Sequence, residues 1–142
     1  MLFRSCYAPA AVCDALERVR GAFNVNLAAQ AAAVAALGEP DWIERSRDHN
    51  SRARGQLAAA LAGSGIKVWP SQANFVLADF ARPERAAAAD AALRARGVIV
   101  RATGGYDLPH CLRITVGTTE ECALVADALA RFMATQAAHS DA

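Results

Sequence analysis

Arg101 and Arg113 are the two side chains of this 142-residue sequence whose type and spacing point most directly to ligand chemistry. They stand in two β-rich runs, Val98–Arg101 and Leu112–Val116, on either side of the loop Gly-Gly-Tyr-Asp-Leu-Pro at 104–109. Ile114, Thr115 and Val116 directly follow Arg113, and β-branched residues favour a strand there. A guanidinium among apolar neighbours must reach solvent or an anion, because burying it unpaired is costly. Two arginines at the ends of adjacent strands can clamp a carboxylate or a phosphate, groups that a guanidinium matches bidentately. Two solvated arginines on an edge strand are the alternative that the residues alone leave open.

Other reactive types form no recognisable constellation. Cys6, Cys13, Cys111 and Cys122 show no C-x-x-C and no metal-ligand spacing with His49, His110 or His139, although His110 adjoins Cys111; no metal site is expected. Asp107 and His110 flank the loop near Arg113, but there is no G-x-S-x-G, no Cys/His pair that can be defended as nucleophile and base, and no paired-carboxylate pattern for an independent catalytic centre. Lys67 is the only lysine and is read as a surface residue on a strand.

The elements that must position the arginines follow from periodicity. Pro9 suits the start of a helix with Val12, Leu16 and Val19 on one face, ended by Gly21. Phe23–Asn26 reads as an extended link, with Asn26 capping an alanine-rich helix over Leu27–Leu37. Gly38-Glu39-Pro40 breaks that helix, and Asp41 is expected to cap a third one running to about Ala62. Strands are expected over Ile66–Trp69 and Asn74–Asp79, then a helix from Pro83 through Arg96, then the two arginine strands. Thr118 and Glu121 form the capping-box pattern T-x-x-E for a final helix to about Ala134. The order predicts an α+β fold, a small, largely antiparallel sheet with helices packed on one face. The expected division is 1–62 for the helical part, 63–134 for the α+β domain and 135–142 for a tail.

Composition narrows the function class. A net charge of +1 gives no electrostatic case for nucleic acid or an anionic membrane. The longest apolar stretch, Leu27–Leu37, is too short to span a bilayer, and the start shows no leader-like pattern. Thiols without a disulfide framework fit a reducing, cytoplasmic setting.

V-R, G-Y-x-L-P and C-L-R-I-T-V-G in that order, followed by Glu120 and Glu121, resemble the C-terminal part of histidinol-phosphate aminotransferases. Ala8-Pro9, Phe23-Asn24-Val25-Asn26 with Ala29-Gln30, and Pro70-Ser71-x-Ala73-Asn74-Phe75 extend the likeness over about Tyr7 to Met133. The sequence departs from the family at Ala22, commonly proline there, and at Asp107, usually glycine. The resemblance implies the small domain, preceded by interdomain helices, of a pyridoxal-phosphate aminotransferase of histidine biosynthesis. It assigns substrate-anion binding to Arg113, assisted by Arg101, and an amino-phosphate as substrate.

The family's Schiff-base lysine lies upstream of the Ala8-Pro9 block. Its phosphate-binding arginine would fall on Leu2, with Arg4 out of register. The resemblance therefore implies a chain without the lysine domain, not binding pyridoxal phosphate alone and catalytically incompetent alone, with a homodimer or a large domain in trans as partner. A related threonine-phosphate decarboxylase, or a non-catalytic module binding a small anion or a protein, is the alternative.

Overall fold

The computed structural model describes residues 8–22 and 24–140, with side chains through residue 136. The readings that involve Cys6, Phe23 and residues 1–6 lie outside the described residues. The chain divides into two compact units, Met1–Asp41 and Trp42–Ala142.

The first unit holds α1 (Ala10–Val19) and α2 (Leu27–Leu37). Asn26 caps α2 as its type predicts, Oδ1 accepting the Ala29 N–H at 2.8 Å. α2 is apolar on every side apart from Gln30, yet none of its residues is buried, and Leu27, Val34 and Leu37 are more than 70% exposed. A helix of that composition is normally enclosed by other structure.

The second unit is α+β. Its elements after α3 (Pro40–Gly63) are β1 (Lys67–Trp69), β2 (Phe75–Asp79), α4 (Pro83–Arg94), β3 (Arg101–Ala102), a short 3-10 turn at Gly104–Tyr106, β4 (Cys111–Thr115) and α5 (Thr119–Ser140). The four strands lie in the order β1-β2-β4-β3, each neighbouring pair antiparallel. Alternation along the strands sends Val76, Ala78, Leu112 and Ile114 to one face, where Leu57 and Leu61 of α3, Leu93 of α4 and Leu129 of α5 meet them. Leu61, Leu93 and Leu129 are fully buried, each removing roughly 1.5–3 kcal/mol worth of apolar surface from water.

Two helices end in the same way, and both ends aim a chain into the sheet. At Gly65 (φ +79°) the Gly65 N–H donates to the Ala62 carbonyl and the Ile66 N–H to the Leu61 carbonyl. At Gly97 (φ +75°) the same two bonds run from Gly97 to Arg94 and from Val98 to Leu93. This is the Schellman arrangement, and its left-handed position favours glycine.

Several boundaries differ from the sequence reading. Helix α3 begins at Pro40, whose missing N–H is no loss at a first position, so Asp41 lies inside the first turn instead of capping it. The strand expected over Val98–Arg101 is reduced to Arg101–Ala102, because Val98 is still engaged in closing α4. The final helix runs on to Ser140 instead of stopping near Ala134, through a segment with good helix formers such as Ala134 and Gln136.

Its start is as the motif predicts: Thr118 N–H donates to Glu121 Oε2 at 2.8 Å and Glu121 N–H to Thr118 Oγ1 at 3.2 Å. Gly117 belongs to this cap. A Cβ there would fall on Glu121 Oε2, while the Gly117 carbonyl lies 2.9 Å from His49 Nε2 of α3. No helix of the described residues is long and apolar enough to cross a membrane.

Candidate anion-binding site

The face of the sheet away from the helices carries the second set of alternating side chains. Arg113 of β4 is paired in register with Leu77 of β2 on one side and with Arg101 of β3 on the other. Directly opposed residues have Cα atoms about 5 Å apart and project to the same face. The two arginines singled out in the sequence are thus brought side by side.

Their surroundings differ. Arg113 is half-buried; its guanidinium lies 5.0 Å from the centre of the Phe75 ring, and its Nε is buried with no hydrogen-bond partner among the described residues. Arg101 is exposed on the edge strand and donates from Nη2 to the Tyr106 hydroxyl at 2.8 Å. Neither has a carboxylate partner among the ion pairs of the described residues. Two arginines in direct register, one with an orphaned buried donor, make a local excess of positive charge and of hydrogen-bond donors. A bidentate oxyanion has the complementary chemistry.

The loop between the arginines is tied down by Thr103, the only buried polar residue among those described. Its Oγ1 lies 2.7 Å from the Leu108 carbonyl and 2.8 Å from the Cys111 carbonyl, bonds that fix both ends of the loop carrying Tyr106. Asp107, the departure from the family's glycine, has φ +59°. Glycine, which the resemblance implies at this position, adopts that left-handed backbone without a Cβ penalty, and Asp is among the few other residues that tolerate it. Tyr106 and Thr103 were not singled out as site residues from the sequence. Tyr106 stands five positions after Arg101 in a glycine turn, and only the folded loop returns its hydroxyl to that arginine.

Lys67 lies on β1, with its ammonium 3.7 Å from Asp79 Oδ2 and 3.8 Å from the centre of the Trp69 ring. Burial opposes ionisation of Asp79, but the Ala81 N–H, Trp69 Nε1 and the charges of His110 and Lys67 outweigh it and hold the carboxyl below its usual value. Burial, with Asp79 beside it, pushes the Cys111 thiol up. This donor set suits a surface ion pair. It does not fit the lysine, pyridinium partner and phosphate cradle that pyridoxal phosphate requires.

The profile of the family described as aminotransferase class I and II matches residues 5–129. The chain belongs to that family. It is 60% identical over 136 residues to a histidinol-phosphate aminotransferase of Granulibacter bethesdensis, covering 96% of this chain and 37% of the relative. A solved histidinol-phosphate aminotransferase from Sinorhizobium meliloti, in complex with pyridoxal-5'-phosphate, superposes with a TM-score of 0.79 at 27% identity, over 89% of this chain and 35% of the other. A decarboxylase from Sulfurospirillum multivorans superposes with a TM-score of 0.69 at 25% identity, over 87% and 36%. The chain therefore spans little more than a third of the length of the curated relatives it matches.

Proposed function

We propose that this chain is the substrate-anion-binding part of a histidinol-phosphate aminotransferase, with Arg113 as the principal anion ligand and Arg101 as its assistant. The observation that carries the reading is the buried Nε of Arg113, without a hydrogen-bond partner among the described residues, beside a second arginine in direct register. A phosphate held there satisfies the orphaned donor and offsets the repulsion between the two charges.

In this reading residues 1–62 correspond to interdomain helices and 63–134 to the small domain of the longer relatives. Transamination requires the Schiff-base lysine and the cofactor cradle, which we assign to a separate lysine-bearing domain working with this chain in the cytoplasm. The uncovered apolar surface of α2 supports such a partner.

Titrating the 142-residue chain with histidinol phosphate and with histidinol tests the anion role. Binding of the phosphate ester alone, lost in Arg113→Ala, is the expected result. Equal binding of both compounds, or unchanged binding in the variant, sinks it. Transaminase activity is expected only on addition of a lysine-bearing domain.

The likeness to the decarboxylase favours a second reading, a related decarboxylase acting on an amino-phosphate with the same arginine pair. Carbon dioxide release in the reconstituted enzyme separates the two. A non-catalytic binding module is the remaining alternative, and a monodisperse chain that gains no activity on reconstitution favours it.

A further inference from the structure

On the same face of the sheet, two residues along β4 from Arg113, a second group of side chains converges. Asp79 ends β2 and Cys111 begins β4, and the two are directly opposed in register. His110 precedes Cys111, and its carbonyl accepts the Phe80 N–H at 3.0 Å, which fastens the end of the arginine loop to β2. A carboxylate oxygen of Asp79, a ring nitrogen of His110 and Sγ of Cys111 all lie within 4.8 Å of one another.

We propose that Asp79, His110 and Cys111 form a binding site for a divalent transition metal of the zinc class, with a fourth position open to water. The donor types carry the assignment. Carboxylate, imidazole and thiolate are the three side-chain ligands that zinc takes, whereas calcium and magnesium require shells of oxygen. Tetrahedral coordination at bond lengths of about 2.0–2.3 Å needs donors roughly 3.3–3.8 Å apart, so the observed group must contract only modestly.

The surroundings meet the other requirements of a site. Asp79 Oδ1 accepts the Ala81 N–H at 2.8 Å, an outer-shell bond that holds the carboxylate in orientation. A cleft of about 330 Å³, lined in part by Lys67, Asp79, Arg85, His110 and Met133, opens from solvent onto Asp79 and His110; the buried Cys111 is not part of its lining. The competitor is Lys67. Its ammonium, 60% exposed, now neutralises an Asp79 side chain that is 10% exposed, and Trp69 Nε1 donates to the same Oδ2 at 3.3 Å; the entering cation takes over the positive charge that the departing Lys67 supplied. Binding exchanges the Cys111 thiol proton, released to solvent, for the metal.

Chain spacing alone conceals the group, because Asp79 lies far upstream of the His110-Cys111 pair and the strand register alone brings it alongside. The proposal is independent of the aminotransferase reading.

Cobalt(II) titrated into the reduced 142-residue chain provides the test. The expected result is one equivalent bound, with a thiolate-to-cobalt charge-transfer band that zinc abolishes. Cys111→Ala removes the band. His110→Ala weakens binding by about tenfold or more. Lys67→Gln tightens it severalfold, a change that incidental thiol labelling does not produce. Absence of the band, or its persistence in Cys111→Ala, overturns the proposal. Should Cys111→Ala fail to fold, the other two variants decide, and unchanged affinity in both overturns it equally.

Discussion

Arg101 and Arg113 face each other across the β3–β4 pair, two like charges in direct register on one face of the sheet. Such a pair destabilises the strands that hold it. The orphaned Nε of Arg113 adds the cost of an unsatisfied buried donor, about 1–3 kcal/mol.

Removing Arg113 therefore has opposite effects on folding and on binding. Arg113→Met is expected to raise unfolding stability by about 1 kcal/mol or more, since an apolar side chain of similar length relieves both costs. The same variant is expected to lose phosphate-ester affinity by about 10- to 100-fold. Chemical denaturation and calorimetric titration of one preparation measure both changes. A variant that loses stability and keeps affinity contradicts the account.

Asp107 tests the backbone of the intervening loop. Asp107→Gly is expected to be neutral or stabilising by up to about 1 kcal/mol, because glycine accepts φ +59° without strain. Asp107→Val, with a branched Cβ at the same angle, is expected to cost roughly 1–2 kcal/mol. Urea unfolding midpoints of the two variants give the comparison.

Thr103→Val keeps the shape of the side chain and deletes its hydroxyl. Two carbonyls, those of Leu108 and Cys111, lose a shared donor, and a loss of about 1–3 kcal/mol is expected. Faster hydrogen exchange confined to residues 103–111 would place the loss in the loop.

Gly117→Ala is expected to cost about 1 kcal/mol by pushing Glu121 out of the capping box. If that is the mechanism, Gly117→Ala has little further effect once Glu121 is already alanine. A double-mutant cycle reads the coupling, and strict additivity argues against it.

Asp127 gives the acid limb of the stability profile a component of known sign. The Arg131 side-chain hydrogen bond holds its carboxyl below the usual value; desolvation is the next-largest effect and opposes it, and the Arg131 charge and Arg96 add to the lowering. A lowered folded-state value means that the contribution is present above the unfolded value of about 3.8 and is lost as pH falls through the folded one. Asp127→Asn is expected to flatten stability between about pH 5 and 2 by a small, salt-sensitive amount, because the pair is exposed and screened. Unfolding curves across that interval at two salt concentrations measure it.

What the sequence disclosed depended on how local the cause was. Asn26, the Thr118–Glu121 box and the glycines closing α3 and α4 act within one turn of chain, and their residue types announce them. The small antiparallel sheet with its helices was likewise readable from alternation and element order. Strand ends were less legible. Val98 has strand-like chemistry but is held by the carbonyl of Leu93, a competition that periodicity does not show. Arg101 and Arg113 could be singled out by type, while their direct opposition is a property of register. Tyr106 returning to Arg101, Thr103 tying the loop and Asp79 meeting Cys111 depend on register or loop closure as well.

The solitary lysine has a practical meaning. Lys67 is the one side-chain amine in 142 residues, and it stands on an outer strand with most of its surface in water. Amine-selective acylating reagents therefore have a single side-chain target in this protein, beside Trp69 and Asp79. A reporter group attached there would sense the electrostatics of the sheet face from a defined position, without any engineered cysteine.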